Sequence, residues 1–281
     1  MSVSVEVRAL VGPDWIAARV DDPAVRVVEV DVSGAAFDAG HIPGAVFWNA
    51  YGDLRPVDFR PITDEAFSAL LARSGIGPET TVVFYGYGAY LGFWLMRSHG
   101  HERVCLMDGT RDRWAGAGYP WTLHASRTHA FAPGSYRIAA GSDDVTTREA
   151  VYELVGDDDT VLLDVRSREE FTGERFWPSG MSQPGGRGGH LPGAVHLPAD
   201  LVRGSDDELR DVEWLGRLFA GAGLSREQRI VVYCTIGNRA SQVWYVLRHL
   251  LGYPQVSVYY GSWAEWGTTP GLPVQTRAGR S

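Results

Sequence analysis

Cys234 is the residue of this chain best placed to act as a nucleophile. It follows the apolar run Ile230-Val231-Val232-Tyr233 and opens the segment Cys234-Thr235-Ile236-Gly237-Asn238-Arg239, which leads into a helical pattern. A position past the carboxyl end of a strand and before a helix N-terminus is where open parallel sheets hold ligands. Backbone N–H groups of Thr235, Ile236, Gly237 and Asn238 can curl around the sulfur there, and the helix dipole adds partial positive charge. Both stabilise a thiolate. Gly237 permits backbone angles that a side chain would forbid, and Arg239 offers a two-pronged contact to an anionic substrate. The chemistry this suggests is nucleophilic attack by a thiolate sulfur. The other cysteine lies mid-strand in Arg103-Val104-Cys105-Leu106-Met107 and reads as a core residue.

The elements that must position Cys234 are written in the same stretch. From Ala240 to Leu251 the apolar residues Val243, Val246, Leu247, Leu250 and Leu251 form one helical stripe, closed by Gly252 and Pro254. The runs Val161–Val165 and Ile230–Tyr233 suit strands covered on both faces. Strands alternating with helical patterns indicate a parallel sheet with crossover helices.

This pattern occurs twice. Gly40-His41-Ile42-Pro43-Gly44-Ala45-Val46 recurs as Gly189-His190-Leu191-Pro192-Gly193-Ala194-Val195, the two histidines 149 residues apart. Acid-terminated strands precede both copies, Val27–Asp31 and Val161–Asp164. Val82-Val83-Phe84-Tyr85-Gly86 answers Ile230–Cys234, and Asp108-Gly109-Thr110 with Trp114 answers Tyr260-Gly261-Ser262 with Trp266. The chain is an internal duplication.

The copies differ in two places. Gly86 stands where the second copy has Cys234, and the glycine closing the next helix is 14 residues on in the first copy against 18 in the second. Asp31 to His41 spans 10 residues, whereas Asp164 to His190 spans 26 and holds a Gly/Pro-rich insertion from Arg175 to Arg187. Long loops of this kind are functional or disordered. Both differences assign the active half to the carboxyl end. Asp164 and Arg166 read as an internal charged pair. His41 and His190, present in both halves, read as turn-holding residues.

With 26 Lys+Arg against 34 Asp+Glu the formal charge is −8, which speaks against a nucleic-acid or anionic-membrane partner. Two cysteines give neither a disulfide framework nor a zinc site, and His99-x-His101 has no third ligand, so no metal is expected. No apolar run approaches a membrane span and the N-terminus lacks a signal-peptide build, so a cytoplasmic location with a free thiol is expected. Phosphate-binding glycine loops and serine-hydrolase elbows are absent from the sequence.

The sequence resembles a tandem-domain rhodanese, of the thiosulfate and 3-mercaptopyruvate sulfurtransferase family, over essentially its whole length. The resemblance rests on Asp164-Val165-Arg166-Ser167, on Gly189-His190-Leu191-Pro192-Gly193-Ala194, on the six-residue loop opened by Cys234, and on Tyr260-Gly261-Ser262-Trp263-x-Glu265-Trp266. It implies an α/β fold of two tandem rhodanese-like domains, each a mostly parallel sheet flanked by helices. Residues 1–122 would form a catalytically silent domain, 123–143 a linker, and 144–281 the catalytic domain. It also implies sulfur transfer through a Cys234 persulfide, from a small anionic donor to a thiol, cyanide or protein acceptor, without a cofactor.

The donor is less clearly marked. Mercaptopyruvate members of the family carry a Cys-Gly-Ser-Gly loop and thiosulfate members a loop with basic residues. Thr235 and Ile236 at the second and third positions, with Arg239 at the sixth, match neither. An arginine that binds the donor in well-known members falls near Glu170 here, which leaves Arg175 and Arg187 as local substitutes beside Arg239. Trp263 either lines the donor pocket or packs in the core. Arg239 favours thiosulfate, with 3-mercaptopyruvate, or a protein-to-protein persulfide relay, as alternatives. A cysteine phosphatase or arsenate reductase fits less well: those loops place five residues between Cys and Arg, and here there are four.

Overall fold

In the computed structural model of the protein, residues 9–55, 60–124, 136, 142–205 and 208–276 are described. The chain divides into two compact units, residues 1–57 with 61–142, and residues 58–60 with 143–281. Most of the linker expected over 123–143 lies outside the described residues. Tyr136, within it, belongs to the first unit, where its hydroxyl pairs with His101 Nδ1 at 2.7 Å.

In the first unit the strands β1 (Leu10–Val11), β2 (Val25–Asp31), β3 (Val46–Asn49), β4 (Thr81–Tyr85) and β5 (Val104–Met107) form a sheet ordered β1-β5-β4-β2-β3. Helices α1 (Pro13–Ala17), α2 (Ala35–Ala39), α3 (Asp64–Arg73), α4 (Ala89–Ser98) and α5 (Arg111–Gly116) connect them. The second unit repeats the plan with β6 (Val145–Thr146), β7 (Thr160–Asp164), β8 (Val195–His196), β9 (Arg229–Tyr233) and β10 (Val256–Tyr259), ordered β6-β10-β9-β7-β8. Its helices are α6 (Arg148–Leu154), α7 (Arg168–Thr172), α8 (Val212–Gly221), α9 (Asn238–Tyr245) and α10 (Ser262–Thr268). Every pairing between these strands is parallel. The central strands are buried on both faces, as the unbroken Val/Ile/Leu runs require.

The strand registers correct one correspondence drawn from the sequence. Leu163 pairs with Val195 and Val28 with Val46, so the twin of Asp164 is Glu29 rather than Asp31. The other neighbouring strand agrees, pairing Glu29 with Tyr85 and Asp164 with Tyr233. Glu29, like Asp164, is completely buried. Asp31 sits two residues further on, where the second unit has Arg166.

The helix expected over 240–251 starts earlier and ends differently. α9 begins at Asn238 and passes at Val246 into one wider turn of π geometry, Val246–Leu250. Val243, Val246 and Leu247 are fully buried, so the stripe does face the sheet. The early start shortens the loop after β9 to Cys234–Gly237, which brings the helix N-terminus against the cysteine.

Two further sequence features are tied into the core. His190 stacks on Phe171 with ring centroids 3.6 Å apart, and its Nδ1 meets the Phe171 carbonyl at 2.7 Å. His41 repeats this on Phe37, at 3.8 Å and 2.9 Å. The insertion between Arg175 and Arg187 has no helix or strand. Phe176 anchors it in the core, and residues 178–182 form an exposed tip.

Cys105 is buried in the core of the first unit, and burial pushes its thiol up to about 12. It stays protonated at neutral pH. Cys105→Ser is therefore expected to leave sulfur chemistry at Cys234 intact, and loss of that chemistry in a normally folded Cys105→Ser protein would contradict this assignment.

Candidate active site

Cys234 directly follows β9, and its neighbours hold it from three sides. Gly237 donates its N–H to Cys234 Sγ at 3.1 Å. That geometry requires the chain to fold back within three residues, and Gly237 makes it possible with φ of 87°, in the left-handed region. The Gly237 carbonyl then accepts from the Ser241 N–H and hydroxyl, so the turn is continuous with the first turn of α9. The sulfur therefore lies in front of the α9 N-terminus with a backbone donor aimed at it.

The third side is α10. The Cys234 carbonyl accepts from Trp263 N–H and the Thr235 carbonyl from Ala264 N–H, both at 2.9 Å. The Cys234 N–H reaches Ser262 Oγ at 3.3 Å, and that hydroxyl donates onward to the Tyr259 carbonyl at 2.8 Å. Ser262 has φ of 51°, the one positive value at a non-glycine among the described residues. Backbone strain of this sort is found where surrounding contacts over-determine a functional position. Here those contacts lock the cysteine's own backbone.

The other loop residues face different partners. Thr235 is buried and donates its hydroxyl to Glu170. Ile236 and Asn238 are almost entirely covered. Arg239, with 19% of its side chain exposed, binds Glu170 end-on through both terminal nitrogens, at 2.7 and 2.8 Å. It also reaches Thr235 Oγ1 at 2.8 Å.

Glu170 was legible in the sequence only as a departure from the family's arginine, and the structure shows what replaced it. Ser167 and Glu170 form a reciprocal capping box at the start of α7, a motif written in Ser167-x-x-Glu170. The box fixes the carboxylate beneath the cysteine loop. Burial alone would raise its pKa, but the Arg239 guanidinium and the Thr235 hydroxyl hold it below the usual carboxylate value. It is ionised at neutral pH.

Two residues expected to meet the donor are engaged elsewhere. Arg187 donates to the carbonyls of Leu272, Trp266, Thr269 and Gly267, at 2.5 to 3.3 Å, and so closes the C-terminal end of α10. Trp263 is fully buried in the core and gives its indole N–H to the Arg187 carbonyl at 3.0 Å. Both side chains anchor the insertion to α10. Arg175 is exposed on the turn after α7.

Beneath the site, Asp164 and Arg166 form a fully buried pair, 2.6 Å apart at closest approach. Arg166 adds a bond to the Gly189 carbonyl at 2.7 Å and lies over the Trp263 ring at 4.6 Å. The first unit builds the same pair by another route. Arg111, from α5, binds both oxygens of Glu29 at 2.6 Å, reaches the Gly40 carbonyl, and lies over Trp121 at 4.3 Å. Arg111 occupies the sequence position of Trp263. The cation is conserved in space and exchanged in sequence, 82 residues from its acid, which is why motif matching does not reveal it.

At the twin of the cysteine position, Gly86 has φ of 92°, and a Cβ built there would lie 2.8 Å from the Val30 carbonyl oxygen.

A sequence model of the family described as rhodanese-like domain matches residues 12–117 and 147–269. A putative thiosulfate sulfurtransferase of Haloferax volcanii is 37% identical over 277 residues, which are 95% of this chain and 96% of that protein. The sulfur carrier protein TtuD of Thermus thermophilus is 38% identical over 277 residues, 94% of this chain and 95% of that protein. Among solved structures, wild-type EanB superimposes with a TM-score of 0.87 at 24% identity, over 96% of this chain and 69% of that one. That likeness concerns the fold. No helix among the described residues is long and apolar enough to cross a membrane.

Proposed function

The chain belongs to the rhodanese-like family, among its sulfurtransferases, and on that premise we propose that Cys234 carries a sulfane sulfur between a small donor and an acceptor. The observation that bears the most weight is the Gly237 N–H directed at Cys234 Sγ from 3.1 Å, on a strand-to-helix turn whose backbone is fastened by α10. That arrangement suits a thiolate at rest and a terminal persulfide sulfur afterwards, since both are anions that accept from backbone N–H groups.

The proposed reaction has two halves. The Cys234 thiolate attacks the outer sulfur of the donor, a new S–S bond forms, and the donor's S–S bond breaks with its electron pair on the leaving group. With thiosulfate the leaving group is sulfite. With 3-mercaptopyruvate a C–S bond breaks instead and the carbon takes up a proton, giving pyruvate. An acceptor thiolate or cyanide then attacks the terminal sulfur and regenerates the Cys234 thiolate. Ping-pong kinetics follow from a free enzyme that holds the transferred group.

Thiosulfate is the donor we favour, in keeping with Arg239 in the loop and with the names of relatives such as the Haloferax volcanii protein. Loop residues Thr235, Ile236, Gly237 and Asn238 form the cradle. The first unit, with glycine at the cysteine position, carries no sulfur. A protein acceptor is a second reading, supported by the relative named as a sulfur carrier protein.

The test is intact-protein mass after incubation with thiosulfate, and in parallel with 3-mercaptopyruvate, followed by cyanide. The expected result is a gain of one sulfur atom on Cys234 that cyanide removes. The donor that loads faster identifies the preference. No gain from either donor, nor from a persulfidated protein, would overturn the proposal.

A further inference from the structure

Ser262 carries a backbone conformation to which serine is poorly suited. Its φ of 51° lies in the left-handed region, where a Cβ crowds the following carbonyl oxygen. A glycine would adopt that angle without strain, but it would bring no hydroxyl. The Ser262 side chain is fully enclosed, and its hydroxyl accepts from the Cys234 N–H at 3.3 Å while donating to the Tyr259 carbonyl at 2.8 Å.

The first unit shows that the fold does not demand this strain. Leu106 and Met107 pair with β1 as Val258 and Tyr259 pair with β6, so the twin of Ser262 is Thr110. Thr110 has φ of −95° and ψ of −177°, ordinary extended backbone, and is the N-cap residue of α5. α10 begins one residue earlier, at Ser262 itself. The strained form accompanies Cys234, and the relaxed form accompanies Gly86.

The Cys234 N–H ends at Ser262 Oγ and the Cys234 carbonyl at the Trp263 N–H. The peptide groups on both sides of the cysteine are thereby fastened to adjacent residues of α10. This sets the direction of its Cα–Cβ bond and keeps Sγ where the Gly237 N–H meets it. Displacement at sulfur needs the attacking and leaving atoms in line, so a small error in the attacking atom is costly.

Resting on the reading that Cys234 accepts sulfur, we propose that Ser262 is a positioning residue for that reaction: its strain is kept because it delivers the hydroxyl that fixes the Cys234 N–H. Sulfur transfer and stability then pull in opposite directions at this residue. Ser262 touches the backbone of the cysteine and acts through it.

The experiment follows single-turnover loading of Cys234 by mass, with thiosulfate and in parallel with 3-mercaptopyruvate, alongside Tm. It compares the wild type with Ser262→Ala, Ser262→Gly and Ser262→Thr. The Trp263 and Ala264 N–H bonds to the cysteine loop do not use the Ser262 side chain, so they can keep α10 seated. Ser262→Ala keeps the strain and loses the hydroxyl, whereas Ser262→Gly loses both. Ser262→Gly is expected to unfold about 3 °C or more above Ser262→Ala. Both should nonetheless load about tenfold more slowly at saturating donor, with the half-saturating concentration changed less than about twofold. Ser262→Thr keeps a hydroxyl but adds a branched Cβ at positive φ, so it should load within about threefold of the wild type despite a lower Tm. Loading rates that rise and fall with Tm across the variants would show Ser262 to be merely structural and would overturn the inference. Wild-type rates in Ser262→Gly and Ser262→Ala, or a loss confined to half-saturation, would overturn it too. Should Ser262→Thr fail to fold, Ser262→Gly and Ser262→Ala still decide, since they differ in strain and share the missing hydroxyl. A wild-type protein that loads sulfur from neither donor speaks against the sulfurtransferase reading itself; one that loads normally at rates indifferent to Ser262 speaks against this inference alone.

Discussion

Cys234→Ser is expected to gain no sulfur from any donor and to lose transfer by about a thousandfold or more, because the covalent step has no other atom to use. The side chain is 1% exposed and differs from serine by one atom, so the fold should survive. The contacts that fix position 234 argue the same way. The N–H to Ser262 Oγ and the carbonyl to Trp263 N–H use the cysteine's own backbone and are indifferent to its side chain. Gly237 N–H can donate to a hydroxyl oxygen as it does to sulfur. Circular dichroism and thermal unfolding should therefore match the wild type while mass spectrometry shows no adduct. Retained transfer in Cys234→Ser would remove the cysteine from the chemistry.

Asp164→Ala is expected to cost stability rather than chemistry, by about 3–5 kcal/mol, because it leaves Arg166 as a buried cation without its carboxylate. Asp164 Oδ1 and Oδ2 accept from Nε at 3.0 and 3.1 Å and from one terminal nitrogen at 2.6 Å, and both side chains are fully enclosed. The Gly189 carbonyl and the Trp263 ring cannot replace a full negative charge. Replacing both partners together, as in Asp164→Leu with Arg166→Met, should recover much of the loss, since apolar pairs of similar volume often substitute for a buried ion pair. Urea denaturation of the single and double variants measures this. A loss below about 1 kcal/mol in Asp164→Ala would mean that the pair contributes no more than a surface bridge.

The sequence carried those features whose signal is local. Cys234 at the end of an apolar run, the stripe of Val243, Val246 and Leu247, and the repeated Gly-His-x-Pro-Gly-Ala all depend on neighbours within a few residues. The paired histidines behave as such a motif should, each stacked on a phenylalanine in its own unit. What escaped depends on partners distant in sequence. The pair of Glu170 with Arg239 joins residues 69 apart, and that of Glu29 with Arg111 joins residues 82 apart. Ser167-x-x-Glu170 spells a capping box that the sequence reading passed over, and nothing local marks the second role of Glu170. Arg187 shows the converse: an arginine in a Gly/Pro-rich loop suggests a ligand, yet a helix end with carbonyls to satisfy makes an equal claim on it, and Trp263, which the sequence left between pocket and core, packs in the core. The strand acids were mismatched by two positions for a related reason: Asp31 is the last acid of its strand, and only the pairing of β2 with β3 and β4 reveals that Glu29 is the buried one.

The geometry at Gly86 bears on ancestry. A duplicated gene can lose a nucleophile by one codon change and regain it as readily, provided the backbone waits unchanged. Here it has not waited. With φ at 92° and the Val30 carbonyl oxygen 2.8 Å from where a Cβ would stand, position 86 has no room for any side chain. The cation beneath it arrives from α5, at the position where the other copy has Trp263. A thiol at position 86 would need both the strand end and the turn to move, since Glu29 Cγ would also lie 3.1 Å from the added Cβ. Gly86→Cys would yield a damaged first unit in place of a second reactive centre.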